Sequence, residues 1–424
     1  MLYRFNNWTH GNRSRRGKRQ IARGRRRTSL LPVIECLEKR VVLTAGLVNV
    51  GLDAGFPQVD GDLTAFTVNE AKQGGTDLNG DGDALDNVLH VADESTGSVT
   101  NLGLSILGNF QVDGDLVAFM VNESSQGGTD LNGDGDALDR VPHLYDASIA
   151  TLTNLGIAST SLFATQLQLD GNSLAFAVRE SAEDFTDLNG DGDVFDFVMH
   201  VYDASSGTME NLELAVGGGP QLVGNLLAFQ VSESQQGLTD LNGDGDLFDT
   251  VVHVHDIASN TTTNLGFQAF SILPMSESLL AFSVSESRQG DVDLNGDGDT
   301  SDDVPHIYSA ITETVTNLQL AGPLPLVDGN VAAWAVAEGA QGGTDLNGDG
   351  DATDLVMHVF EADSGTITNL GLALNQFQFA LKDNRLVFHV LENRQGGVDL
   401  NGDGDGLDQV MHVYDVSSKT VTNL

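Results

Sequence analysis

Short runs of alternating apolar and polar residues fill the chain from residue 46 onward, and they recur in a fixed order. In one copy the apolar stretch Phe110-Gln111-Val112 is followed by the turn Asp113-Gly114-Asp115 and the alternating run Leu116-Val117-Ala118-Phe119-Met120-Val121. An acidic, glycine-rich loop comes next. After it stand a β-rich run, Val141-Pro142-His143-Leu144-Tyr145, a small polar turn, and Thr153-Asn154-Leu155-Gly156. A side-chain period of two between turn residues reads as strand, and no helical period intervenes. Each copy therefore predicts four strands, A to D, with the acidic loop between B and C.

The loop, Asp-Leu-Asn-Gly-Asp-Gly-Asp, starts at Asp77, Asp130, Asp187, Asp240, Asp293, Asp345 and Asp399, at intervals of 53, 57, 53, 53, 52 and 54 residues. A period this long and regular marks a solenoid, a propeller or an array, so the repeats decide the domain count. Four-stranded units of this size define a β-propeller. The expected fold is all-β: a seven-bladed β-propeller of four-stranded antiparallel blades, with one loop in each B–C hairpin. Burial of each sheet between its neighbours accounts for a small–aromatic pair on strand B: Ala65-Phe66, Ala118-Phe119, Ala175-Phe176, Ala228-Phe229, Ala281-Phe282, Ala333-Trp334 and, departing from the pattern, Val387-Phe388. These aromatics read as core wedges.

Asp113-Gly114, Ala118-Phe119, Val201-Tyr202-Asp203 and Ser206-Gly207 give the blades a grammar that resembles TolB-like propellers. The resemblance covers nearly all of residues 46–424 and implies the fold alone. Val48-Asn49-Val50-Gly51-Leu52 reads as a further copy of the strand-D motif, placed to cap or overlap the ring closure against Thr422-Asn423-Leu424. An open stack of calcium hairpins, as in thrombospondin-type arrays, is the alternative. About 30 strand-rich residues between loops favour the closed ring.

The loop has the chemistry of a hard-cation site. Calcium takes six to eight oxygens from a flexible loop, and the pattern resembles EF-hand and dockerin loops in positions 1, 3, 5, 6 and 7. Candidate ligands at position 1 are the seven Asp residues just named. Position 3 supplies Asn79, Asn132, Asn189, Asn242, Asn295, Asn347 and Asn401, and position 5 supplies Asp81, Asp134, Asp191, Asp244, Asp297, Asp349 and Asp403. Position 7 holds Asp83, Asp136, Asp193, Asp246, Asp299, Asp351 and Asp405, where an EF-hand needs only a carbonyl. Closure falls at position 10, on Asp86, Asp139, Asp196, Asp249, Asp302, Asp354 and Asp408, whereas an EF-hand closes at 12 and an integrin-type propeller loop at 9. With no flanking helices, the opening motion of an EF-hand sensor is not implied. Leu at position 2, such as Leu78, reads as a buried anchor. Calcium, about one per repeat and seven in all, is the expected cofactor.

Two further residues keep their distance from every loop. Glu70, Glu123, Glu180, Glu233, Glu286, Glu338 and Glu392 lie seven residues before the first Asp, and His90, His143, His200, His253, His306, His358 and His412 lie thirteen after it. The Glu is placed to complete the cation shell or to accept from nearby backbone. The His reads as a side-chain hydrogen bond between strands, since a catalytic group used once needs no seven equivalents.

Charge divides the chain. Residues 1–40 carry 12 of the 20 Lys and Arg and only two acids, so that segment is +10 and the rest −51, within a total of −41. Such a body repels nucleic acid and anionic membrane and collects cations. Cys36 is the only cysteine, which excludes an intramolecular disulfide. No stretch reaches 18 apolar residues, so no helical membrane span is expected. Residues 1–45 read as a basic targeting or export segment, and 46–424 as the seven-repeat body. Within the segment, Leu37-Glu38-Lys39-Arg40-Val41-Val42-Leu43-Thr44-Ala45 resembles the LEPR-XLL motif of large bacterial surface proteins, departing at Lys39 and Val42. That resemblance implies secretion or display at the bacterial cell surface.

The expected function is a calcium-stabilised structural or adhesive repeat protein, with a cell-surface protein or polysaccharide as partner. The alternative is a secreted propeller enzyme, a hydrolase or lyase acting at the central face. An enzyme breaks sevenfold symmetry with residues unique to one blade. Arg179, His255, Lys382 and His389 are such residues, yet their spacing matches no catalytic motif, and the enzyme question stays open on the side of no.

Overall fold

Gly-Asp turns join the alternating runs into antiparallel sheets that follow one another along the chain. The computed structural model describes residues 51–159, 167–269, 272 and 275–424, so the N-terminal segment and its motif lie outside the described residues. Sheet 1 is built from Ala54–Asp60, Leu63–Asn69, Asn87–Asp93 and the first half of Ser98–Asp113. The second half of that long strand opens sheet 2, which continues with Leu116–Asn122, Arg140–Asp146 and Thr151–Asn154. Sheets 3 and 4 are separate four-stranded units ending in Thr208–Ala215 and Thr261–Gln268. In sheet 5 the first strand is reduced to a bridge between Met275 and Leu280, ahead of Leu279–Ser285, Asp303–Ser309 and Thr314–Asn317. Sheets 6 and 7 share the strand Thr366–Lys382, and sheet 7 ends with Arg385–Leu391, Gln409–Asp415 and Thr420–Asn423. The only helices among the described residues are five single 3-10 turns, each beginning at a repeated Glu such as Glu123.

The strand period of two sends alternate side chains of strand B to opposite faces. In sheet 4, Leu227, Phe229 and Val231 pack toward sheet 3, while Leu226 and Ala228 pack toward sheet 5. The aromatic of one sheet thus meets the alanine side of the sheet before it, as Phe119 meets Ala65, and this is why a small residue precedes each aromatic. Fully burying a Phe or Leu contributes about 1.5–3 kcal/mol, so these contacts dominate cohesion in a chain whose described part holds no disulfide. Six apolar clusters fill the six junctions between consecutive sheets, in the manner of propeller blades. A cluster joining sheet 7 to sheet 1 is not among them. Among the described residues the expected ring closure is not made by any apolar cluster or strand pairing, and Val48-Asn49-Val50, placed to cap it, lie outside the described residues.

The repeated histidines occupy a different bond from the one the sequence suggested. Each sits opposite the strand-B aromatic, as His90 pairs with Phe66 and His412 with Phe388. Its Nδ1 bonds the carbonyl two residues back on its own strand, Val88 for His90 at 3.1 Å, where the ladder to strand D shifts register. The ring then stacks on the aromatic, with centroids 5.9 Å apart for Phe66–His90. Burial pushes His200, His306 and His358 down to about 4, which keeps them neutral at pH 7.

Candidate metal centres

Each B–C loop is a chain of Asx-type turns. Asp77 accepts from Gly80 N at 2.6 Å and Gly82 N at 3.1 Å, Asn79 from Asp81 N at 3.3 Å, Asp81 from Asp83 N at 3.0 Å, and Asp83 from Leu85 N at 2.8 Å. Gly82 is needed there because its φ is 103°, a backbone that side chains with a Cβ rarely adopt. The same geometry recurs in the last loop, where Asp399 accepts from Gly402 N at 2.6 Å and Gly404 N at 2.9 Å. Carboxylates used in this way retain lone pairs for another partner.

Three carboxylates converge at the base of the loop. Oxygens of Glu70, Asp83 and Asp86 lie within 4.8 Å of one another, as do those of Glu123, Asp136 and Asp139, of Glu180, Asp193 and Asp196, of Glu233, Asp246 and Asp249, and of Glu286, Asp299 and Asp302. The repeated Glu is fully buried and accepts from two loop amides, Leu78 N at 2.6 Å and Asp86 N at 2.9 Å for Glu70. It both fixes the loop to the end of strand B and turns its charge toward the cluster. Position 10 follows into the interior: Asp139, Asp196 and Asp249 are buried, and the Asn79 amide donates to Asp86 at 3.3 Å. Leu78 and its equivalents are half-buried, and Leu131, Leu188 and Leu241 pack against the junction clusters, as an anchor should.

Crowding of like charges leaves an electrostatic signature. Burial, reinforced by Asp134, Asp136 and Glu123, pushes Asp139 up to about 7, and burial with Asp193, Asp191 and Glu180 does the same to Asp196. Burial followed by Asp244 and Asp246 pushes Asp249 up to about 6. Burial also raises Asp86, Asp302 and Asp354. Every convergent group in these clusters is a hard oxygen donor. That donor set fits calcium and not a soft or imidazole-bound metal.

The loops also reach across the junctions. Asn79 donates to Ser125 O at 3.1 Å in the next sheet, Asn189 to Gln235 O at 3.0 Å, and Asn347 to Arg394 O at 2.9 Å. Asp191 and Asp349 accept from Gly237 N and Gly396 N of the following sheet. Two residues that sequence reasoning passed over complete the frame. An Asn on strand D, Asn101 in sheet 1, donates to Leu78 O at 2.8 Å across 23 residues, a separation kept in every copy to Asn423. A Gln three residues after the buried Glu, such as Gln126, accepts from Ser105 N at 3.0 Å in the preceding D–A connector. Their invariant spacing was the available signal. In sheet 3 that Gln is replaced by Glu183, which accepts from Ala158 N.

The residues unique to single blades are placed apart. Arg179 lies over the Phe197 ring, His255 bonds Thr262, and Lys382 pairs with Asp328 at 2.7 Å. They form no shared site.

No family model and no curated protein matches the chain. Among solved structures it is similar to the β-propeller domain of the Trilobed protease from Pyrococcus furiosus (9% identity, 87% of this chain and 96% of that one, TM-score 0.38). It is also similar to TolB from Acinetobacter baumannii (10%, 87% and 78%, TM-score 0.27) and to Pyrococcus horikoshii acylaminoacyl peptidase (12%, 87% and 52%, TM-score 0.33). The chain spans about half the length of that peptidase. The class the architecture defines, an all-β protein of propeller-type blades, stands on its own strand order and junctions.

Proposed function

We propose that this chain is a calcium-binding structural or adhesive repeat protein of the bacterial cell exterior, in which about seven cations, one per loop, hold consecutive blades in place. One observation carries the reading: a buried Glu and two loop Asp residues converge within 4.8 Å in blade after blade. Because five of the loops also bond the following sheet, a cation that orders such a loop orders the junction. Metal that binds the folded loops and not the unfolded chain stabilises the fold by mass action. At free calcium about ten times its dissociation constant, each site adds about 1.4 kcal/mol. Extracellular modules bind calcium at about 0.1–1 mM, which suits loops this exposed. The exterior location rests on the LEPR-XLL resemblance of residues 37–45.

The test is thermal unfolding with calcium and with EDTA, alongside a calorimetric titration. Melting should rise steeply with calcium, with a stoichiometry near seven. Superimposable melting curves would sink the proposal.

A further inference from the structure

Five of the six junctions repeat one pairing of positions, and the junction of sheets 3 and 4 has Ser173 and His255 in those places. The first residue of strand B that faces the next sheet packs with that sheet's strand-C aromatic and the small residue two places on: Leu116 with Tyr202 and Ala204, Val331 with Tyr414 and Val416. At the two ends of the array these residue types are exchanged. Sheet 7 carries Arg385 where sheet 6 has Val331, and sheet 1 carries Ala92 and Glu94 where sheet 7 has Tyr414 and Val416. A longer cationic side chain on one face is thus matched on the other by a shorter side chain and an added carboxylate.

Size follows the same exchange elsewhere on these faces. Val387 replaces the alanine of the other six blades, and Thr64 replaces the leucine found at Leu386. Lys382 stands where Asp60, Asp113, Asp170 and Asp328 stand in their blades. Those aspartates accept from the turn of the following sheet, as Asp60 does from Gly114 N at 2.7 Å. Lys382 itself is held by Asp328 of the preceding sheet at 2.7 Å. Neither face is filled: Arg385 and Glu94 are exposed, Val387 and Val413 are half-buried, and Val59 is 65% exposed.

We propose that the outward face of sheet 7 binds the outward face of sheet 1 of a second copy of this chain, head to tail, with Arg385 paired to Glu94 over the space opened by Ala92. The partner is a second copy because no described strand pairing or apolar cluster joins sheets 7 and 1 within one chain, while the six internal junctions show what covers such a face. A heterologous contact of this kind leaves a free face at each end, so assembly continues into linear oligomers. The inference is independent of the cation reading.

Sedimentation of the full chain at rising concentration tests it. The mass should climb from one chain to multiples of it. Arg385→Glu should weaken association by about tenfold or more, and adding Glu94→Arg should restore it. Arg385 is exposed, so circular dichroism should show the variant folded. The proposal is overturned by growth that ignores Arg385→Glu, or by the mass of a single chain at every concentration. In the second case, a disulfide formed within one chain by Arg385→Cys and Glu94→Cys, in a Cys36→Ser background, would identify ring closure instead.

Discussion

Sheets 6 and 7 are built from the same strand grammar and differ in what lies beyond them. Met357 of sheet 6 is fully buried and its counterpart Met411 is 39% exposed. Strand Val331–Ala337 is buried along six of its seven positions, whereas Arg385–Leu391 is fully buried only at every second one. The loops differ in the same sense: Asn347 donates to the following sheet, while Asn401 is exposed and makes no described bond to another sheet. Burial in this protein is a property of the junction and not of the repeat, as expected when each unit contacts only its neighbours.

The largest effect that would sharpen this contrast is a paired truncation. Met357→Ala should destabilise by about 2–5 kcal/mol, because it empties a packed junction. Met411→Ala should cost less than about 1 kcal/mol, as surface changes do. Denaturant unfolding reads both, and equal losses would break the comparison.

Next comes pH dependence without metal. The folded Asp139 and Asp196 sit near 7 against an ordinary 3.8, so their contribution is fully present below 3.8 and is lost as pH rises through 7. The folded His200 sits near 4 against 6.5, so its contribution is fully present above 6.5 and is lost as pH falls through 4. In EDTA, Asp196→Asn should flatten the loss of stability between about pH 5 and about pH 7.5 while leaving the acid limb in place. Parallel profiles for variant and wild type would remove the carboxylate cluster as its cause. Calcium should abolish the same loss in the wild type.

The smallest effect concerns the last loop. Because Asn401 has no junction to brace, the seventh cation should leave first when a chelator is titrated in, and Asp408→Asn should change total calcium uptake less at limiting calcium than Asp354→Asn. Calorimetry compares the two, and indistinguishable isotherms would mean that junctions do not tune the sites.

Much of this was legible in the chain. Strands B and C and the loop between them follow from a block that runs from Glu70 to His90 without insertion in any copy, so one local geometry recurs seven times. The half-buried position-2 leucines and the strand-B wedges follow from the same regularity. The histidine bond was misjudged because a sequence gives the face of a strand but not which carbonyl lies nearest on it. The buried Glu was offered two roles and has both within reach, since one carboxylate accepts two amides and still borders the cluster. The ring closure expected from the period is not made among the described residues. A period fixes what each blade is, while the angle between blades accumulates from small junction differences that no single residue announces. The departure at Val387 was visible, but its meaning depends on the face it occupies.

The loop-to-sheet bonds have one more consequence, for a chain under tension. Five of the first six sheets are stapled forward by an Asn or Asp reaching into the next, and among the described residues the seventh is held only from behind. Pulling on the C-terminus would therefore peel the array from that end, one blade at a time, each release exposing the next staple. Such a protein extends in steps of roughly fifty residues before its other end feels the load.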